Sequence, residues 1–252
     1  IAHGRPIWRA VRNRIAEIFD ANNPRLRDNA EHRKQILFPA KEVQMLLPVF
    51  TQDYTDFYSS REHATNVGTM FRDPANALFP NWLHLPVGYH GRSSSIIVSG
   101  QNVHRPKGQT LPKGATQPVF GPSQRVDFEL EMAFITAEGK SLGHNIPIQE
   151  AEKHIFGLVL FNDWSARDMQ TWEYVPLGPF LAKNFASSVS PWVVTLDALE
   201  PYRVEGPKQD PEPLPYLQIA GKHHIDINLE VSIMPENAPE TVVSKSNFKH
   251  MY

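Results

Sequence analysis

Glu129 and Glu131 stand two residues apart in the run Val126-Asp127-Phe128-Glu129-Leu130-Glu131-Met132-Ala133-Phe134, where polar and apolar residues alternate. Alternation is the period of a β-strand, so Asp127, Glu129 and Glu131 share one face while Phe128, Leu130, Met132 and Phe134 take the other. Residues two apart on a strand are separated by roughly 6.5 to 7 Å along the chain. That is close enough for two carboxylates to converge on one cation at about 2.0 to 2.6 Å. An enclosed pair needs a cation or a proton, because like charges raise one another's pKa and desolvation raises both. The same run also describes an antiparallel strand with one wet face, and other segments must decide between the two.

Tyr54-Thr55-Asp56-Phe57-Tyr58 repeats the alternation and places a carboxylate between two phenols, either as the wall of a site or as an ordinary amphipathic strand. His63 follows after a turn and can fold its imidazole back over Asp56 as a base; with 11 histidines in the chain, a surface or core role is the plainer reading. At Asn162-Asp163 an apolar strand stops on an amide and a carboxylate. Strand ends of this kind are where sites are commonly built, although Asp163 also suits an N-cap for the helix that follows. On that helix Arg167, Gln170 and Tyr174 share one face and together suit an anionic or carbonyl oxygen. Lys183 lies in the apolar stretch Pro176 to Phe185, where it is either buried against carboxylates or snorkelling to the surface. The adjacent His223 and His224 point to opposite faces of a strand and do not make a shared metal site. The glycines near Gly88, Gly91 and Gly178 match no phosphate loop or dinucleotide fingerprint.

The elements that position these residues are short. Apolar residues Ile7, Trp8, Val11, Ile15, Ile18 and Phe19 recur at helical spacing and predict an amphipathic helix from Pro6 to Asp20, ended by Asn22-Asn23-Pro24. Its arginines form a solvated face. Strands are expected at Thr51 to Tyr58, Ser95 to Ser99, Phe128 to Thr136, Gly157 to Phe161, Trp192 to Leu196 and Ile225 to Ile233. Short helices are expected at Gln149 to His154 and Ser165 to Glu173, and loops at Arg105 to Ser123 and Pro201 to Pro215. Proline, at 22 of 252 residues, favours such fixed connections over long helices.

The 252 residues are enough for one domain or a domain with an appendage. A net charge of −2 gives no footprint for nucleic acid or an anionic membrane, which leaves small molecules or protein as partners. The absence of cysteine excludes disulfides and zinc–thiolate sites, and it fits a cytoplasmic location. Any metal must be held by oxygen or imidazole. The longest apolar stretch, Ile155 to Phe161, is far below the ~18 residues that span a bilayer. Starting at Ile1 and stopping at Tyr252, the chain reads as a piece of a longer one.

Five strings together resemble the fumarylacetoacetase family: Tyr54 to Arg61, Leu85 to Arg92, Glu129-Leu130-Glu131, Asn162 to Asp168 and Trp172 to Phe180. Glu-x-Glu is shared with the wider acylpyruvate hydrolases and related decarboxylases, whereas the longer strings are specific to fumarylacetoacetases. The resemblance runs from about Thr51 to Tyr252 and weakly into the N-terminal helix. It implies a β-rich α+β fold, a mixed β-sandwich or β-roll preceded by a helical segment, with residues 1–48 as helical linker and residues 49–252 as a catalytic domain lacking its C-terminal part.

The resemblance further implies Mg²⁺ or Ca²⁺ held by Asp56, Glu129, Glu131 and Asp163. A second-ion position is matched by Lys183 and by Ser187, where the family has threonine. His63 is implied as general base, Tyr58, Arg72, Tyr89, Gln170 and Tyr174 as substrate contacts, and Arg167 with Lys183 beside the developing oxyanion. The reaction implied is hydrolysis of a carbon–carbon bond in 4-fumarylacetoacetate to fumarate and acetoacetate, the last step of tyrosine and phenylalanine catabolism, by a homodimer. Rivals are another acylpyruvate or β-diketone hydrolase, and a catalytically idle metal-binding fragment. The last is motivated by the family's continuation past Tyr252, where it carries a glutamate that orients the histidine and a threonine that binds substrate.

Overall fold

The computed structural model describes all of residues 1–252. Its organising element is the strand Ile155–Asp163, apolar on both faces until it reaches Asn162 and Asp163. Leu130–Thr136 runs antiparallel along one edge, setting Glu131 opposite Phe161 and Leu130 opposite Asn162. The other edge is shared by Val194–Thr195 near the strand's start and Ser187–Val189 at its end, with Ser187 opposite Asp163. Ile96–Val98 then adds in parallel to Ser187–Val189 and completes a mixed five-stranded sheet.

Opposed residues on paired strands share a face, and the packing divides accordingly. Ile96, Val159, Phe161 and Val189 form one buried cluster with Tyr54, Ala133 and Ile135 against it. Leu158, Leu196, Leu199 and Ile225 form another, with Met132 and Ile227 against it. Glu131, Asp163 and Ser187 lie at the end of the first face, where apolar packing gives way to charge.

Five two-stranded pairs surround the sheet. Two of them matter for the charged end: Thr55–Phe57 with Gly88–His90, and Val126–Asp127 with Ser165–Ala166. The β-rich α+β reading holds, and its sandwich takes the form of one central sheet with these pairs about it. The helix Gly4–Phe19 docks by Trp8, whose ring meets Phe156 edge-on at 5.1 Å, and by Arg5 and Arg9 on Asp197. No helix is long and apolar enough to cross a membrane.

Several elements differ from expectation. The strand expected from Phe128 begins at Leu130, because side chains replace the ladder before it: Phe128 N donates to Asp127 Oδ1 at 2.9 Å and Glu129 N to Asn162 Oδ1 at 3.2 Å. Ser165 and Ala166 belong to a strand and not to the helix, which starts at Arg167. The strand expected over Ile225 to Ile233 is broken, with Asp226 N turning to Tyr202 O at 2.8 Å. The region Arg105 to Ser123, expected as loop, contains the hairpin Lys107–Thr110 with Val119–Pro122. Gly108, Gly121, Pro122 and Lys107 weaken its strand signal; a Cβ at Gly108 would meet Leu181 and Met169, so the pairing is held by close packing on distant residues.

The accessible surface, 17482 Å², well exceeds the roughly 11,000 Å² expected of a compact monomer of this mass. Many large apolar side chains are exposed in it. Ile7, Val11, Ile15 and Phe19 form an open stripe along the first helix, each at least half exposed.

Candidate metal centre

Three carboxylates reach one point from three separate elements. Asp56 comes from Thr55–Phe57, Glu131 from Leu130–Thr136 and Asp163 from the last position of Ile155–Asp163. One oxygen of each lies within 4.8 Å of the others. Asp163 is fully buried and in a strand, so it is not a helix cap; the helix after it is preceded by Ala166 with no capping side chain.

Asp163 uses its two oxygens differently. Oδ1 accepts from Arg92 Nη2 at 3.0 Å and from Ser187 Oγ at 2.6 Å. Oδ2 lies 2.7 Å from Lys183 Nζ but receives no aligned hydrogen bond. Lys183 is itself buried, which settles the choice between core and surface. Its short helix Leu181–Asn184 is pinned by Glu173 Oε1, which accepts from Phe180 N and Ala182 N at 2.8 Å each.

Glu129 joins a different set of partners. Its Oε1 is 2.8 Å from both Lys183 Nζ and Arg167 Nη1, and it accepts from Ser165 Oγ at 2.9 Å. Arg167 Nε also pairs with Asp127 at 3.0 Å. Three of the four expected acids therefore cluster, while the fourth shares Lys183 with Asp163. Asp127, Glu129 and Glu131 do face one region, but each does something different there.

The charges do not balance. Arg92, Lys183 and Arg167 face Asp56, Asp127, Glu129, Glu131 and Asp163, and no cation pairs with Asp56 or Glu131. Burial first, then Asp163, lifts the Asp56 carboxyl to about 6. Burial, then Asp56 and Asp163, lifts Glu131 well above the ordinary carboxylate range. Glu129 shows the reverse: burial opposes its ionisation, yet Lys183 and Arg167 hold it at about 2. Asp56 and Glu131, the carboxylates without a cation of their own, stand in one cluster with Asp163 and resist ionisation until a cation faces them. That is an all-oxygen set suited to a hard divalent cation, and the residues fit such an ion.

His63 enters the helix Arg61–Phe71 at its first turn, where Ser60 Oγ accepts from His63 N at 3.2 Å. Its Nε2 lies 3.7 Å from Glu129 Oε2, so the imidazole turns to Glu129 and not to Asp56. Burial lowers its pKa, partly offset by Glu129, which favours the neutral form at neutral pH. Tyr89 stands opposite Asp56, its hydroxyl buried without a partner and its pKa raised by burial and by Asp56.

The remaining expected substrate residues are more loosely gathered. Gln170 Oε1 lies 3.4 Å from Arg167 Nη1, Tyr174 stacks on Phe71 at 5.4 Å, and Tyr58 donates to Ala64 O at 3.1 Å. Arg72 donates to Ala77 O at 2.5 Å. For a second cation, Lys183 Nζ is already in two ion pairs and Ser187 Oγ is bonded to Asp163, so neither side chain is free in this arrangement. His223 and His224 bind separately, to Glu152 and to Lys249 O, as their alternation implies.

Reading the sequence missed Arg92, Ser165 and Glu173 as parts of this region, whereas Tyr54 stands there already as one of the two phenols of a candidate site wall. Arg92 sits inside one of the strings that carried the resemblance, Leu85 to Arg92, which was its available signal. Ser165 and Glu173 sit inside two others, Asn162 to Asp168 and Trp172 to Phe180, and offer no local signal besides, since single hydroxyls and carboxylates near a helix are common on any surface.

Residues 53–252 match the family model described as fumarylacetoacetate (FAA) hydrolase C-terminal, and residues 1–48 the one described as fumarylacetoacetase N-terminal. The fumarylacetoacetase of Oryza sativa subsp. japonica is 55% identical over 252 residues, which covers 99% of this chain and 58% of that protein. Those of Caenorhabditis elegans and Homo sapiens are 56% and 54% identical over 250 residues, covering 98% and 99% of this chain and 60% of each relative. The chain thus spans about three-fifths of the length of the curated relatives it matches. With most of its length under one family model and more than half its residues identical to these relatives, the chain belongs to the fumarylacetoacetase family.

Proposed function

We propose that this chain carries the centre for metal-dependent hydrolysis of a carbon–carbon bond in 4-fumarylacetoacetate, giving fumarate and acetoacetate. The observation that carries the reading is the convergence of Asp56, Glu131 and Asp163 within 4.8 Å, with more carboxylates than neighbouring cations. Asp56, Glu131 and Asp163 would hold the ion, with Glu129 as the fourth carboxylate. Bound there, Mg²⁺ or Ca²⁺ supplies Lewis-acid stabilisation for the enolate that departs from a β-diketone.

The chain's own groups perform the rest. His63, held neutral by burial, takes a proton from water at Nε2, and Glu129 3.7 Å away stabilises the imidazolium that results. The proton then passes to the departing carbanion, which balances a hydrolysis. Arg167 and Lys183 retain N–H groups beyond those spent on Asp127, Glu129 and Asp163, and these face the charge that develops on the attacked carbonyl. A well-placed donor of this kind contributes about 3 to 4 kcal/mol. Gln170, Tyr89, Tyr174, Tyr58 and Arg72 line the substrate's side in this reading, and the second-ion position at Lys183 and Ser187 belongs to it only if those contacts rearrange.

The reading includes a helical segment at residues 1–48, a catalytic domain at residues 49–252, a cytoplasmic location and a homodimer acting on a small molecule and not on nucleic acid or membrane. A net charge of −2, the lack of cysteine and the open apolar stripe on the first helix support it. Loss of diketone absorbance on adding fumarylacetoacetate, abolished by chelator and restored by Mg²⁺ or Ca²⁺, is the expected result. Turnover of acylpyruvates with none of fumarylacetoacetate favours the neighbouring hydrolases instead. Tight metal binding without turnover of either substrate favours the idle fragment, a reading motivated by the chain's partial span of its relatives.

A further inference from the structure

Arg92 lies outside every role assigned above, yet it is built into the centre from several sides. Its Nε donates to Ser95 Oγ at 3.2 Å, and its Nη2 reaches Asp163 Oδ1 at 3.0 Å, Ala186 O at 3.1 Å and Ser187 Oγ. Nη1 is buried without a partner. Ser187 Oγ in turn donates to the same Asp163 Oδ1 at 2.6 Å. One carboxylate oxygen is thereby saturated from two directions, and the plane of the group is fixed. The other oxygen, Oδ2, lies against Lys183 with no aligned hydrogen bond, in a carboxylate that clusters with Asp56 and Glu131.

The guanidinium is held just as firmly from behind. It sits 5.9 Å from the centre of the Tyr54 ring, which packs on Phe161 at 5.5 Å in the first core cluster. Gly91 N donates to Tyr54 O at 2.9 Å, and a Cβ at Gly91 would run into the Tyr54 ring, so glycine is required directly before Arg92. A rigid path therefore leads from the sheet core through Tyr54 and Arg92 to one oxygen of Asp163.

We infer that Arg92 is a positioning residue for Asp163, fixing the carboxylate so that Oδ2 is presented to a divalent cation shared with Asp56 and Glu131. This rests on the metal-dependent reading above. A planar fork is needed for the task, because an ammonium is a point charge that cannot reach Asp163, Ala186 and Ser95 together. Lys183 already supplies a point charge on the other oxygen. Positioning and simple charge make opposite demands. If Arg92 acted only by its charge, removing it would leave the site more negative and cations would bind more tightly; if it acts by orientation, they bind more weakly.

The test is to titrate Mg²⁺ and Ca²⁺ into the whole chain and its Arg92→Gln and Arg92→Lys variants by calorimetry. Terbium luminescence lifetimes in H₂O and D₂O would count the waters left on the bound ion. Positioning predicts affinity weakened by about 10- to 100-fold in both variants, the size usual for loss of a partner that orients a metal ligand, and more coordinated water on terbium. Unchanged or tighter binding in Arg92→Gln overturns the inference, as does full recovery in Arg92→Lys. Should the glutamine variant fail to fold, the lysine variant, which keeps the charge, decides alone. A parent chain that binds neither ion overturns the metal reading and this inference with it; a parent that binds while the variants bind equally overturns the inference only.

Discussion

Two charged networks in this molecule use the same residue types to opposite ends. The outer one joins the N-terminal helix to the sheet. Arg5 and Arg9 pair with Asp197, Arg203 binds Glu152 through both nitrogens at 2.7 and 3.0 Å and also meets Glu200, and His223 meets Glu152 at 3.0 Å. Every acid there has a cation of its own, so the network is complete. The central network is more deeply buried and leaves Asp56 and Glu131 with none. Burial ordinarily forbids such a surplus, because an unpaired buried charge costs several kcal/mol. A complete network fastens elements together, whereas an incomplete one at the end of a sheet holds open a place for an ion.

The comparison is sharpest at Lys183. Lys183→Met leaves Glu129 and Asp163 without their shared cation, and the expected loss of stability is about 3 to 5 kcal/mol, as for breaking a buried pair. Urea unfolding measures it, and a loss below about 1 kcal/mol, the level of an exposed pair, would show that the centre is no more demanding than the surface. Next in size is removal of the ion. At a concentration 100 times its Kd, a bound cation stabilises the fold by about 2.7 kcal/mol, so chelation should lower the melting temperature of the parent chain. Asp163→Asn should abolish that difference and reduce metal content by elemental analysis. Equal occupancy in variant and parent would mean that Asp163 is not a ligand.

How far the sequence carried each network follows from what its residues signal. Asp56 and Glu131 were legible because each sits within a short alternating run, and Asp163 because it closes an apolar one, where a carboxylate is out of place unless it has work to do. Their meeting was legible only through the family strings, since three distant strands pair by tertiary packing that no local pattern encodes. Glu129 was read as an equal of Glu131. The two diverge because Asn162 Oδ1 takes the Glu129 backbone N–H and ends the ladder at that point, turning the side chain toward Lys183. The hairpin of Lys107–Thr110 with Val119–Pro122 was invisible for a related reason, its strands being held from outside by Leu181 and Met169. Nothing in the sequence announced the outer network, because arginines and glutamates scattered over helices and loops look the same whether or not they pair.

Smaller effects are expected outside the centre. Arg203→Ala removes a cation from two acids, Glu152 and Glu200, that remain partly in water. A cost of about 1 kcal/mol is therefore expected, at the upper end for such pairs and smaller at high salt. Metal affinity should not change. A shift in metal affinity in this variant would join the two networks and undo the contrast between them.

The smallest effect is one of pH. The Glu152 carboxylate, by its hydrogen bond, raises the pKa of His223 above the ordinary histidine value, partly offset by burial. A histidine whose folded pKa exceeds its unfolded value of about 6.5 binds protons more tightly when folded. Its contribution is therefore complete below that pH and is lost as pH rises through the raised folded value. Because the imidazole is largely solvent-screened, a few tenths of a kcal/mol is the scale to expect. His223→Gln should thus lower the melting temperature near pH 5.5 and approach the parent's above pH 8, with any constant offset from the lost neutral hydrogen bond subtracted. A gap that widened with rising pH would mean that His223 acts as a neutral acceptor or donor and that the outer network is complete without its charge, leaving Arg203 alone to neutralise Glu152.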